Sequence, residues 1–153
     1  NLIVLAGRMA AKLLDVHVSL QADQFGLGGT AAYLGCLPMA ITGYEEEARL
    51  CATPTLLPGS ESGGFGQDDV ASPAFPAWSK QDRSGSLLEA ALASLAFIAV
   101  RGLDRLERPV PPALAELAAE VRRHLPDADT PQALGPAAYG LEAELRRRVF
   151  TAP

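Results

Sequence analysis

The chain has 153 residues, 48% of them hydrophobic and 20% charged, which is enough apolar material for one buried core and too little charge for a disordered segment. Its formal charge of −5, from 13 Lys plus Arg against 18 Asp plus Glu, speaks against a nucleic-acid partner, because a phosphate backbone recruits cations. No run reaches the roughly 20 uninterrupted apolar residues of a membrane span, and no basic start with an apolar core and cleavage site marks secretion, so no membrane partner and a cytoplasmic location are expected.

The chain opens on Asn1 and enters a helical pattern at once, as a segment cut from a longer protein would. Leu2, Leu5, Ala6, Met9 and Leu13 fall on one face and predict an amphipathic helix over 2–14. The looser stretch 15–29 follows. Its Gly26, Gly28 and Gly29 have neither a preceding strand nor the Lys of a phosphate-binding loop, and read as turn residues. A second apolar segment covers 30–51, where Pro38 should kink or break the helix. Glu45, Glu46 and Glu47 form a solvated face or an interface patch. Cys36 and Cys51 lack CxxC spacing and stand in apolar surroundings, so two small buried thiols are expected.

From 52 to 79 the chain carries Pro54, Pro58, Pro73 and Pro76 together with Gly59, Gly63, Gly64 and Gly66, a composition that predicts one long connection. Connections of that length are usually functional or disordered. The helix expected over 80–102 is apolar nearly all round, through Leu87, Leu88, Leu92, Leu95, Phe97 and Ile98, and must be buried on most sides. The remaining short helices supply little cover, which implies partner chains. Pro111 and Pro112 suit a first helical turn, with Leu114, Leu117, Ala118, Val121 and Leu125 as one stripe behind them. A last helix places Leu141, Leu145 and Val149 on one face, with Glu142 four residues before Arg146 and Glu144 four before Arg148. With no internal repeat and no alternating strand pattern, the expected fold is an all-α helical bundle, part of a larger multi-chain helical assembly.

Little in this pattern suggests a metal: His17 and His124 are far apart, and His124 follows Arg122 and Arg123 near a helix end, where a structural role is expected. The informative stretch is SESGGFGQDDVAS, residues 60–72, which sets an amide and two adjacent carboxylates in a glycine-rich segment ahead of the apolar helix. A carboxylate there can bind a substrate amine. Equally, Asp68 or Asp69 can cap a turn or a helix start.

GQDDVAS resembles the Gln-Glu-Asp-His signature of the aromatic amino-acid ammonia-lyase and aminomutase family, which lies before a long buried helix. Three more stretches resemble that family in the same order. RMAAKLLDVHVS (8–19) resembles its Arg, apolar run and Leu-Leu-Asp-Pro-His-Leu-Ser; EARLCATP (47–54) resembles its Glu, Lys, Leu-Ala-His-Pro; LLEAALASLAFIAVRGLD (87–104) resembles its bundle helix. The likeness covers the C-terminal part of the family and nearly all of this chain. Carried over by position, the acid that faces substrate in the histidine-type enzymes falls on Asp68 as catalytic group, one methylene shorter, with Gln67 and Asp69 beside it as substrate-binding residues. A phenylalanine-type alignment makes Gln67 the key amide instead. Val70 replaces the signature His, and Pro73 follows Ser72 where the family often has Met.

What the resemblance implies is a tetrameric-type assembly whose active sites are shared between chains and whose small-molecule substrate is an aromatic amino acid. The family's electrophile, a methylidene-imidazolone, forms by cyclisation of an Ala-Ser-Gly that this chain lacks. That group is therefore expected on a partner chain, a larger subunit, or on a missing upstream segment, with this chain forming one wall of the pocket. Two other functions fit the same residues: a noncatalytic helical partner subunit, and a homologue recruited to an electrophile-independent reaction.

Overall fold

The computed structural model describes residues 1–14, 34–55, 74–105, 107–126 and 133–151, and among them every regular element is helical. Among the described residues five α-helices follow in order: α1 (Leu2–Leu14), α2 (Leu37–Cys51), α3 (Ala74–Arg105), α4 (Ala115–His124), entered through a 3₁₀ turn at Pro112–Leu114, and α5 (Leu134–Thr151). The fold is all-α. The expected helix over 2–14 is present as read. Pro38 acts as a start and not as a kink: it occupies the first turn of α2, where its missing N–H leaves no intrahelical bond unmade.

α3 corrects the expected boundaries. It begins at Ala74, inside the supposed connection over 52–79, because Pro76 lies in the first turn and is tolerated there. It also runs past Gly102 to Arg105, and Glu107, at φ 50°, then turns the backbone into the left-handed region. The Arg108 amide donates to the Leu103 carbonyl (3.1 Å) and the Glu107 amide to that of Asp104 (3.3 Å), the pair of bonds of a Schellman stop. By length and mean hydropathy, 1.6 in its most apolar stretch, Phe75–Asp104 is long and apolar enough to cross a membrane. Within the described residues α3 touches each of the other four α-helices, and 44% of that apolar stretch is buried among them.

The core gathers Ile3, Ala6 and Ala10 of α1, Leu37 and Ile41 of α2, Leu87, Ala91, Phe97 and Ile98 of α3, Val121 of α4 and Leu141 of α5. The α3 surface is less completely buried than its sequence suggests: Leu88 and Leu95 are half-buried and Leu92 is exposed. On α4, Ala118 and Val121 are buried while Leu114 and Leu117 of the same stripe are exposed, and in α5 Leu141 and Leu145 face inward as expected. The thiols do not behave as buried core: Cys36 is exposed, just ahead of α2, and Cys51 is only half-buried at its far end.

α1 shows the largest departure. Its buried face consists of Ile3, Ala6 and Ala10, whereas Leu2, Leu5 and Met9 are 64%, 52% and 48% exposed and Leu13 also faces outward. The helix has two apolar stripes, and the one made of small side chains is turned inward. Close approach explains the choice, since a Cβ on Gly7 would lie 3.3 Å from the Ile41 side chain of α2.

The buried polar side chains Ser94 and Glu120 are satisfied locally. Ser94 Oγ donates to the Ala90 carbonyl at 2.9 Å. Glu120, 2% exposed, pairs through one carboxylate oxygen with Arg123 and through the other with His124 Nε2 at 3.4 Å. The His124 ring in turn rests against α5 at Gly140, where a Cβ would come within 2.9 Å of Nδ1. His124 therefore has the structural place that its position near a helix end suggested.

Three sets of substitutions test this packing by chemical denaturation. Phe97→Ala should cost about 3–5 kcal/mol, while Leu5→Gln should change stability by less than about 0.5 kcal/mol; equal losses would refute the core place of Phe97 on α3 and the outward place of Leu5 on α1. Gly140→Ala should destabilise despite alanine's helix advantage of about 1 kcal/mol, and His124→Ala should relieve the effect, whereas Gly85→Ala, which meets open space, should stabilise. Glu107→Gly should add roughly 1 kcal/mol by removing left-handed strain, and no gain would count against that helix stop.

Candidate functional site

The helices that flank the acidic signature can be built up from their contacts. α2 delivers the chain to Thr53, and α3 receives it again from Ala74. Lys80 Nζ, in the second turn of α3, donates to the Thr53 carbonyl (3.0 Å) and to Thr53 Oγ1 (3.3 Å). One turn further along, Arg83 forks around Glu47, with Nε to Oε1 at 2.6 Å and Nη2 to Oε2 at 2.8 Å. The hydrogen bonds from Arg83, reinforced by its charge, hold the Glu47 carboxyl below the usual range, and the Arg83 guanidinium is raised in return. Both stems of the 56–73 segment are thus fastened to one another.

Gln67, Asp68 and Asp69 belong to that segment and lie outside the described residues, as do Gly26, Gly28, Gly29 and His17. Of the four stretches that carry the family resemblance, the structure places EARLCATP at the end of α2 and LLEAALASLAFIAVRGLD in the core half of α3.

Beside the stems a groove of about 700 Å³ opens between three helices, lined by Leu2 and Val4 of α1, Ala48 and Arg49 of α2, and Gln81 and Leu88 of α3. Its surface is chiefly apolar. Its charged side chains, Glu45 and Arg49, are paired with each other, and Arg49 also reaches Glu46 at 3.3 Å. Each carboxylate of the acidic run 45–47 has an arginine partner, and Glu46 and Glu47 remain 68% and 44% exposed, as on a solvated face. What the groove offers a ligand is apolar surface and a neutralised pair of charges.

A smaller cleft of about 100 Å³, room for a few waters, lies where α2, α3 and α5 meet and is lined by Tyr44, Arg83, Ser86, Tyr139 and Glu142. Burial pushes the Tyr44 hydroxyl above its ordinary value, and neighbouring Tyr139 and Glu142 add to the effect. Burial also raises the Glu142 carboxyl; Arg146, at 3.0 Å, pulls the other way, and Glu89 raises it further. Arg146 bridges Glu142 of α5 and Glu89 of α3, and Arg122 of α4 similarly forks around Asp104 of α3, with its closest contact 2.6 Å. These groups clasp helices together. Among the described residues no cluster of three or more His, Cys, Asp or Glu side chains could hold a metal ion.

Sequence reading did not find Glu47–Arg83, Arg122–Asp104 or Arg146–Glu89, since their members stand 36, 18 and 57 residues apart and leave no periodic signal. Glu120 and His124 are four apart, and that helical spacing could have revealed them. Glu142–Arg146 is formed as expected; Glu144 pairs with Arg147, and the side chain of Arg148, its expected partner, lies outside the described residues.

Glu47 and Glu142 should respond to acid with opposite sign. Glu47 has a folded value below the ordinary 4.5, so its stabilisation is present above 4.5 and is lost as pH falls through the lower folded value. Glu142 is raised above 4.5, so its contribution is present below 4.5 and is lost as pH rises through the folded value. Thermal unfolding followed from pH 7 to pH 3 should show Glu47→Gln less stable than the parent at neutral pH and less sensitive to acid. Glu142→Gln should melt at or above the parent at pH 7, and a loss as large as that of Glu47→Gln would overturn the assignment.

Comparison of the chain with protein-family models, with curated proteins and with solved structures gives no significant match.

Proposed function

We propose that this chain forms one wall of a methylidene-imidazolone-type carbon–nitrogen lyase or aminomutase acting on an aromatic amino acid, with Asp68 as the acid, base or amine-binding group and Gln67 and Asp69 beside it. The observation that carries the reading is the run Gln67-Asp68-Asp69, set in order between EARLCATP and the long apolar helix. Two structural features support it. The stems of the signature segment are fastened by Lys80 and Arg83, so whatever the segment presents is presented from a braced base. Immediately after the signature, the first turns of α3 hold Phe75 and Trp78 outward, 80% and 68% exposed, on a helix whose second half is core.

In this reading a partner chain or an upstream segment would hold the electrophile, which would supply an electron-poor centre that activates the aromatic amino acid for loss of ammonia. The contribution of this chain is a carboxylate for the substrate amine or for a proton, with an amide to orient the substrate. A multi-chain, tetrameric-type assembly belongs to the same proposal. It is supported by the outward apolar residues of α1 and of the start of α3, since extended apolar surface of this kind marks interaction sites.

A noncatalytic helical partner subunit is the second reading, favoured by the lack of Ala-Ser-Gly and by the pairing of the charged groups in both clefts. Native mass measurement of the purified assembly, followed by denaturing mass measurement of each component, separates the two. A partner lighter than its sequence by two waters, the signature of the cyclised ring, is the result expected for the lyase. Its absence from every component would end that reading. In the complete assembly, Asp68→Asn should lower turnover by about 100-fold or more with the fold intact, and unchanged turnover would remove Asp68 from the site.

A further inference from the structure

We draw no further inference here: the strongest candidate, the apolar stripe of Leu2, Leu5, Met9 and Leu13 along the outer face of α1 with the groove that opens beside it, has nothing in the structure to show what covers it.

Discussion

Every other described α-helix is packed against α3, and the remaining features of the described fold answer to that constraint. A helix of 32 residues is roughly 48 Å long at 1.5 Å per residue, longer than any of its partners. Its core half mixes large and small side chains: Phe97 and Ile98 fill space, while Ala91, Ala93 and Ser94 let neighbouring helices come close. Several helices can then share one helix.

The ion pairs have a different part. Glu47 with Arg83, Asp104 with Arg122, and Glu89 with Arg146 each join α3 to a different helix, and all are largely exposed. Exposed pairs add little net stability, since water screens them and long side chains lose freedom in forming them. Their value is positional: a forked guanidinium accepts a carboxylate in few orientations, so each pair selects the rotation and offset at which its helix meets α3. The apolar contacts supply the attraction and the pairs select among near-equivalent packings. Buried Glu120 follows another logic, since a carboxylate removed from water needs partners on both oxygens, and Arg123 and His124 provide them.

The elements themselves were legible where local pattern decides them. α1 and the apolar half of α3 announce themselves by helical periodicity, whereas Pro38, expected to kink or break a segment over 30–51, stands in the first turn of α2, where a ring without an N–H is tolerated. The start of α3 was hidden by the same physics: Pro76 looks like a breaker in a proline- and glycine-rich stretch, yet three residues into a helix it breaks nothing. Its end was hidden because Glu107 takes a left-handed turn that glycine usually signals. Of the candidate site, the sequence supplies residue types and order, in Gln67, Asp68 and Asp69. The bracing by Lys80 and Arg83 depends on tertiary placement across 27 and 36 residues, and no spacing rule reaches that far.

The two faces of α1 show how far periodicity can be trusted. Burial per unit area favours hiding Leu2, Leu5, Met9 and Leu13 over hiding Ala6 and Ala10, by about 25 cal/mol for each Å² of apolar surface. Sequence reading accordingly put the leucines with the core, and the structure turns them outward. Area is not the only term. Turning the leucine stripe toward α2 would hold the helices apart at the level of Gly7, where the present approach leaves a Cβ just 3.3 Å from Ile41, and would open the tight contact around Ala6 and Ala10. Dispersion and packing density reward the close approach. The small face therefore wins within this chain, and the apolar area left on the large face is the surface that the multi-chain reading requires a neighbour to bury.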